Sequence, residues 1–229
     1  REQSRSGQRT PGEFVSLEHL LHDMRLYKSA AEIKTMKRAA SVAASAHCRA
    51  MRVCRPGLWE YEVEAEFSHE FRRSGCHHAY NPIVGGGANG CILHYNENNM
   101  PLEDGDLLLI DAGAEYDCYA SDITRTFPVN GRFSKPQRAL YELVLAAQAA
   151  AIAKIRPGNH WNDPHDAAVK VLTRGLVELG ILKGKVPALI KDAAYKRFYM
   201  HRTGHWLGMD VHDVGDYKVG DEWRILEPG

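Results

Sequence analysis

The chain is short of the features that would commit it to a special environment. Its 229 residues contain five cysteines, at 48, 54, 76, 91 and 118. That number is odd and no Cys-x-x-Cys spacing occurs, which argues against a disulfide framework and a zinc knuckle. Cysteine used this way fits a reduced, cytoplasmic compartment. Neither sign of charge is in excess: 29 Lys and Arg balance 29 Asp and Glu, and the pI is about 7.3. A nucleic-acid or anionic-membrane partner is therefore not implied. No run approaches the roughly 18 apolar residues of a membrane span, and no secretory signal pattern is visible. Hydrophobic residues, at 44%, are ample for a buried core.

The order of elements is legible from punctuation. Residues 1–16 open with a polar stretch of Ser, Gly, Gln and Pro that reads as linker; residues 17–229 read as one domain. Ser29-Ala-Ala-Glu32 has the form of a capping box. The helix it opens stops at Arg55-Pro56-Gly57. A second helix places Val63, Phe67 and Phe71 on one face and ends at Ser74-Gly75. Its Glu60, Glu62, Glu64 and Glu66 read as a solvated side. Strands are expected at 79–84, 91–95, 106–112 and 120–127. Ser134-Lys-Pro-Gln137 caps a third helix, which is expected to run to Arg156-Pro157-Gly158. Asp163-Pro164 starts a fourth, with Asp163 as cap, ending at Gly180. Helix, Arg-Pro-Gly, helix thus occurs twice, 101 residues apart. Such a repeat suggests two halves related by a pseudo-twofold axis.

Asp111 and Asp122 are the most informative residues. Leu107 to Ile110 is an apolar run that ends in a carboxylate, and Ile123 to Phe127 alternates. With a turn centred on Tyr116 and Asp117, Asp111 would pair directly with Asp122 on one face of a sheet. Two such carboxylates either lie in solvent at strand ends or share a cation or a proton. Further ligand types crowd into His201-Arg-Thr-Gly-His205-Trp-Leu-Gly-Met-Asp210-Val-His212-Asp213, and His94 follows the run Cys91-Ile-Leu. Imidazole with carboxylate is a mixed donor set that favours Mn²⁺ or Mg²⁺ over Zn²⁺.

The segments Ile92 to Asn99, Asp111 to Tyr116, Ser121 to Gly131 and His201 to Gly215 together resemble the aminopeptidase P catalytic domain of the pita-bread metallopeptidases. The resemblance implies an α+β pita-bread fold, with two α-α-β halves around a curved antiparallel sheet. It implies a pair of divalent ions, Mn²⁺ first, with Co²⁺, Fe²⁺ or Zn²⁺ as alternatives. Asp111, Asp122 and His205 would be metal ligands; His94, His201 and His212 would line the site around the substrate. The reaction implied is hydrolysis of the bond between an N-terminal residue and a following proline, by a hydroxide held between the ions. Peptides with proline second are the expected substrates, and a homodimer or homotetramer the expected full-length assembly. A prolidase, another pita-bread peptidase or a non-catalytic peptide-binding module are the alternatives. The family also uses two glutamate ligands after the last histidine motif. Ile225-Leu-Glu227-Pro-Gly229 matches an earlier, non-ligand copy of that motif. The expectation is therefore a chain truncated at both ends, its second half incomplete, and inactive by itself.

Two other patterns carry little. Gly85-Gly-Gly87-Ala-Asn-Gly90 satisfies G-x-G-x-x-G, but a dinucleotide site needs a helix directly afterwards. His201-x-x-x-His205 resembles a zinc-peptidase helix motif, yet Arg202 stands where the glutamate base would be and Gly204 weakens a helix. His77-His78 is expected to face solvent, and Trp206 to line the pocket.

Overall fold

The computed structural model describes Gly7 and residues 13–229, without the side chain of His19. Most of the expected linker lies outside the described residues; 13–17 form neither helix nor strand. A helix not anticipated from the sequence, α1 (Glu18–Leu26), comes first. It leads into α2 (Ala30–Val53), opened by the expected capping box. Ser29 Oγ accepts from the Glu32 N–H, and Glu32 Oε2 accepts from the Ser29 N–H at 2.7 Å. Helix α3 (Glu60–Arg73) packs Val63, Phe67 and Phe71 against the small residues Val42, Ala43, Ala46 and Ala50 of α2. Small side chains on α2 let the two helices approach closely and leave room for the sheet.

That sheet is antiparallel throughout and comes in two pieces. One has the order β1 (His77–His78), β4 (Ala114–Tyr116), β5 (Tyr119–Ala120). The other has the order β2 (Ile83–Gly86), β3 (Leu107–Asp111), β6 (Thr124–Pro128). Val84, Leu108, Ile110, Ala112 and Ala114 are buried in one core with the α2–α3 face. Each large aliphatic or aromatic side chain buried there contributes about 1.5–3 kcal/mol. Helices α4 (Lys135–Ile152) and α5 (Asp163–Glu178) form the second pair, around a smaller cluster of Ala147, Ala151, Ala168 and Leu172. A short α6 (Val186–Lys191) and the ribbon β7 (Lys218–Val219) and β8 (Glu222–Trp223) follow.

The internal repeat has a hydrogen-bonded counterpart in three dimensions. Gly57 N–H donates to Leu102 O and Leu102 N–H to Leu58 O; Gly158 N–H donates to Leu226 O and Leu226 N–H to Asn159 O. Glu60 N–H to Met100 O is matched by Trp161 N–H to Arg224 O. Both Arg-Pro-Gly turns therefore dock the same way, with Gly57 and Gly158 at φ 87° and 88°. Only glycine adopts that backbone without strain.

Several boundaries differ from expectation for identifiable reasons. The run 91–95 is not a strand. Gly87–Cys91 forms a 3₁₀ turn and His94 sits at φ 56°, in a loop. Of the expected strand 79–84 only Ile83 and Val84 lie in a strand; 79–82 do not, and Pro82 offers no N–H to a ladder. The Asn98 side chain takes over there, accepting from Val84 N–H at 2.9 Å. The expected strand 120–127 is interrupted between β5 and β6. Helix α4 ends at Ile152, short of the Arg-Pro-Gly turn. Asp163 is the first residue of α5 rather than its cap, and its carboxylate accepts from His160 N–H at 3.0 Å. His78 is half-buried against Phe71 rather than solvated. Gly85 belongs to a tight fold-back: a Cβ there would lie 2.8 Å from Gly90 N.

Glu60 is the largest departure. Instead of facing solvent it is fully buried. Its carboxylate accepts from Gly86 N–H (2.8 Å), Met100 N–H (3.1 Å), the Asn89 amide (3.0 Å) and the Tyr95 hydroxyl (2.7 Å). It thereby gathers the whole loop that carries His94. Glu60→Ala would leave these donors without an acceptor and should destabilise the fold by about 3 kcal/mol or more. Urea unfolding of the variant beside the parent measures it.

Candidate metal centre

Asp111 and Asp122 do come together, but by a different register. The turn is Asp117-Cys118, both in the left-handed region at φ 46° and 65°. Tyr116 pairs with Tyr119, Glu115 with Ala120, and Asp111 with Thr124. The ladder is shifted by two residues from the expected one. Because side chains alternate with a period of two, a shift of two keeps Asp122 on the same face as Asp111. The pair becomes diagonal rather than directly opposed.

A tyrosine joins them. Tyr80 Oη lies 2.5 Å from Asp111 Oδ1 and 2.8 Å from Asp122 Oδ1. Ala79 N–H donates to Gly113 O, which holds the Tyr80 segment against the sheet. Gly113 is needed for this: a Cβ there would sit 1.7 Å from Ser121 O and 2.8 Å from Tyr80 Cε1. On the other side, His205 Nε2 is 3.0 Å from Asp122 Oδ2. His205 Nδ1 donates to its neighbour's carbonyl, Trp206 O, at 2.8 Å. The loop bearing it is docked on β5 by Ala120 N–H to Gly208 O, 2.8 Å. The His212 ring follows at 4.2 Å, centroid to centroid, from that of His205.

Titration separates the two carboxylates. Burial raises Asp111, and the charge of Asp122 adds to the rise against the hydrogen bond from Tyr80. Burial pulls Asp122 the same way, but hydrogen bonds from His205 and Tyr80 outweigh it and leave its carboxyl below the ordinary range. The same contact with Asp122 raises His205 despite its burial. Burial and both carboxylates push the Tyr80 phenol far above its usual value, so it remains a donor. One hydroxyl proton serves one carboxylate at a time, so the pair titrates as a unit with the charge held on Asp122.

Of the six residues singled out by sequence, Asp111, Asp122, His205 and His212 meet here. His94 lies in its exposed loop, and His201 is exposed, edge-on to Tyr199. Glu227 accepts from the Tyr27 hydroxyl rather than joining the pair. Tyr80 was not found by sequence: it carries no charge, and nothing in its spacing links it to Asp111. Trp206 stacks with Tyr217 and lies tilted against Trp161.

Among the described residues no three His, Cys, Asp or Glu side chains converge as a ready-made metal cluster. Asp111, Asp122 and His205 are strung together through Tyr80 and Asp122 instead. Their chemistry nevertheless suits a divalent cation: two half-buried carboxylates with no Lys or Arg among the described residues hydrogen-bonded to either, and an imidazole whose Nδ1–H is tied to a backbone carbonyl, directing Nε2 at the pair.

The sequence pattern described as metallopeptidase family M24 matches residues 34–229. The chain belongs to this family. The Xaa-Pro aminopeptidase of Haemophilus influenzae is 54% identical over 218 residues, 95% of this chain and 50% of that protein. Aminopeptidase PepP of Pseudomonas aeruginosa superposes with a TM-score of 0.96 at 64% identity, covering 100% of this chain and 52% of that one. A zinc-substituted Escherichia coli aminopeptidase P in complex with product superposes at 0.95, with 50% identity and 100% and 52% coverage. The chain therefore has the pita-bread architecture of aminopeptidase P and spans about half the length of the relatives it matches.

The M24 carboxylate pair makes a stability prediction. Asp111's folded pKa lies above its unfolded value, so its contribution favours folding in acid and is lost as pH rises through the folded pKa. Asp122 is the reverse, favouring folding above its unfolded pKa and losing that as pH falls through the folded one. Asp111→Asn should thus raise the metal-free Tm at neutral pH by a few degrees, a gain that disappears in acid. Calorimetric scans of both proteins between acid and neutral pH check the sign.

Proposed function

We propose that this chain carries the metal-holding part of an aminopeptidase that cleaves an N-terminal residue from a following proline. The observation that carries the reading is the shared carboxylate Asp122. Among the described residues it is the one group that touches both Tyr80, which also holds Asp111, and His205, from the far loop. A residue placed between the two ligand-bearing segments suits a bridge between two cations, with Asp111 and His205 completing the contribution of this chain.

Two divalent ions, when bound, would supply Lewis acidity to a water molecule and to the scissile carbonyl. The protein's own residues do the rest. Tyr80 keeps the two carboxylates at one place against their repulsion. His205 is held to one tautomer by the Trp206 carbonyl, so its orientation is fixed before any ligand arrives. His212, beside it and exposed, donates a hydrogen bond to the oxygen on which charge develops. His94 and His201 sit on exposed loops suited to contacting the peptide on either side of the scissile bond. Mn²⁺ is the preferred ion on donor hardness, with Co²⁺, Fe²⁺ and Zn²⁺ as competitors. The substrates are peptides with proline second, the setting a reducing compartment such as the cytoplasm, and the full-length assembly a homodimer or homotetramer. No described helix is long and apolar enough to cross a membrane.

In the full-length protein, Asp122→Ala should lower the bound-metal count and abolish proline-directed cleavage, because a bridging ligand serves both ions. Metal analysis alongside hydrolysis of an Xaa-Pro-Xaa tripeptide tests this; full stoichiometry and activity would remove the assignment. Cleavage of an Xaa-Pro dipeptide in preference to the tripeptide would favour the dipeptidase alternative.

His205→Ala and His212→Ala should part company. The first loses metal. The second keeps it and loses about 10²–10³ in kcat, as for removal of one oxyanion donor. Equal metal loss in both would mean that ligand and donor are wrongly divided.

A further inference from the structure

His205 and His212, the proposed metal ligand and oxyanion donor, lie in residues 201–215, a stretch with no helix or strand of its own. Its shape must come from outside. One anchor is the bond from β5 already described. Another is Asp213, whose side chain is 1% exposed. Its carboxylate lies 2.5 Å from Arg25 Nη2 and 3.1 Å from Lys28 Nζ, and accepts from Val214 N–H at 3.0 Å. Arg25 Nη2 also reaches Asp210, at 2.7 Å. Lys28 is itself 8% exposed at the side chain. The loop folds so tightly over this carboxylate that a Cβ on Gly208 would lie 2.0 Å from Asp213 Oδ2.

The ionic cluster is connected to the metal-centre histidine through one atom. Asp213 N–H donates to Trp206 O at 3.0 Å. The same oxygen accepts from His205 Nδ1 at 2.8 Å. A carbonyl can only accept, so this contact fixes the proton on Nδ1 and turns Nε2 to Asp122. Holding Asp213 therefore holds the carbonyl that orients His205, and places His212 one residue away.

Arg25 belongs to α1 and Lys28 follows it. Both precede residue 34, where the match to the M24 pattern begins. We infer that Arg25 and Lys28 are positioning residues for the M24 metal centre, acting through Asp213 and the Trp206 carbonyl to set the orientation of His205 and His212. A buried carboxylate facing two cations is not easily left with one partner removed, because the remaining charge keeps its desolvation cost. Loss of the cations should free the loop rather than shift it slightly. The inference rests on the proposed roles of His205 and His212.

The test uses full-length protein labelled with ¹⁵N-histidine, as Arg25→Met, Lys28→Met, the double variant, and the conservative Arg25→Lys/Lys28→Arg pair. The first readout needs no metal: the His205 ring signals, which report the Nδ1 proton and its protection from exchange. The second is Mn²⁺ affinity by calorimetry. In the double Met variant the His205 Nδ1 proton should lose its protection and Mn²⁺ affinity should fall about 10–100-fold, the usual cost of losing an outer-shell partner. The conservative pair should restore most of both. A folded double variant, by circular dichroism, with parental His205 signals overturns the inference. Should the double variant fail to fold, Arg25→Met alone decides by the same signals, since that side chain is partly exposed. If the parent protein binds no Mn²⁺, the proposed function fails, and the ring signals still decide whether the clamp exists.

Discussion

Two carboxylates within reach of a single hydroxyl are the constraint around which this half of the molecule is arranged. Asp111 and Asp122 repel each other in a half-buried place where that repulsion is poorly screened. Their neighbours are there to make the arrangement tolerable. Tyr80 supplies one proton between them, and His205 supplies a partner to the more strongly ionised member. Gly113 lacks a side chain because Tyr80 and the Ser121 carbonyl occupy the space where one would be. The α2–α3 face behind the sheet gives the rigid backing that lets strained charge be held in place. Such a pair costs stability, the trade that functional sites commonly make.

The architecture brings the candidate ligands to this place from both repeats. The first contributes the strands that bear the aspartates; the second contributes the helices that precede the histidine loop. Identical docking of the two Arg-Pro-Gly turns shows that the halves share a plan. The histidine loop has no regular structure of its own, so its precision is borrowed from β5 and from Asp213. The His94 loop is treated likewise, gathered by the buried carboxylate of Glu60 rather than by a ladder. In both cases an acidic side chain organises irregular backbone by collecting several donors at once. A loop arranged in this way can place a side chain as firmly as a strand does, while leaving its tip open to a ligand.

Much of this was legible in the chain. Capping boxes at Ser29 and Ser134, helix stops near glycine, the apolar face of α3 and the offset of the repeat are local signals; they set the starts of α2 and α4 and the ends of α2, α3 and α5, but missed α1 and the early end of α4. The aspartate pair was legible because the parity of a strand survives an even error in register: the turn moved by one residue and the ladder by two, yet Asp122 kept its face. The strand expected at 91–95 failed because Ile92 and Leu93 stay exposed, Tyr95 alone is drawn in to Glu60, and His94 adopts a left-handed backbone that no strand allows.

What the sequence determined alone was therefore whatever depends on neighbours a few residues apart: helix starts and stops, strand faces, the repeat, and the set of donor types. What only the tertiary structure decided was which distant groups share one atom. Tyr80 finds Asp111 across 31 residues of chain, Asp213 finds Lys28 across 185, and Glu60 is buried although its spacing groups it with Glu62, Glu64 and Glu66 on a solvated side. Short-range signals arise from backbone geometry, which is the same in every protein. Long-range polar contacts arise from how packed elements happen to bring unlike segments together, and no spacing along the chain encodes that.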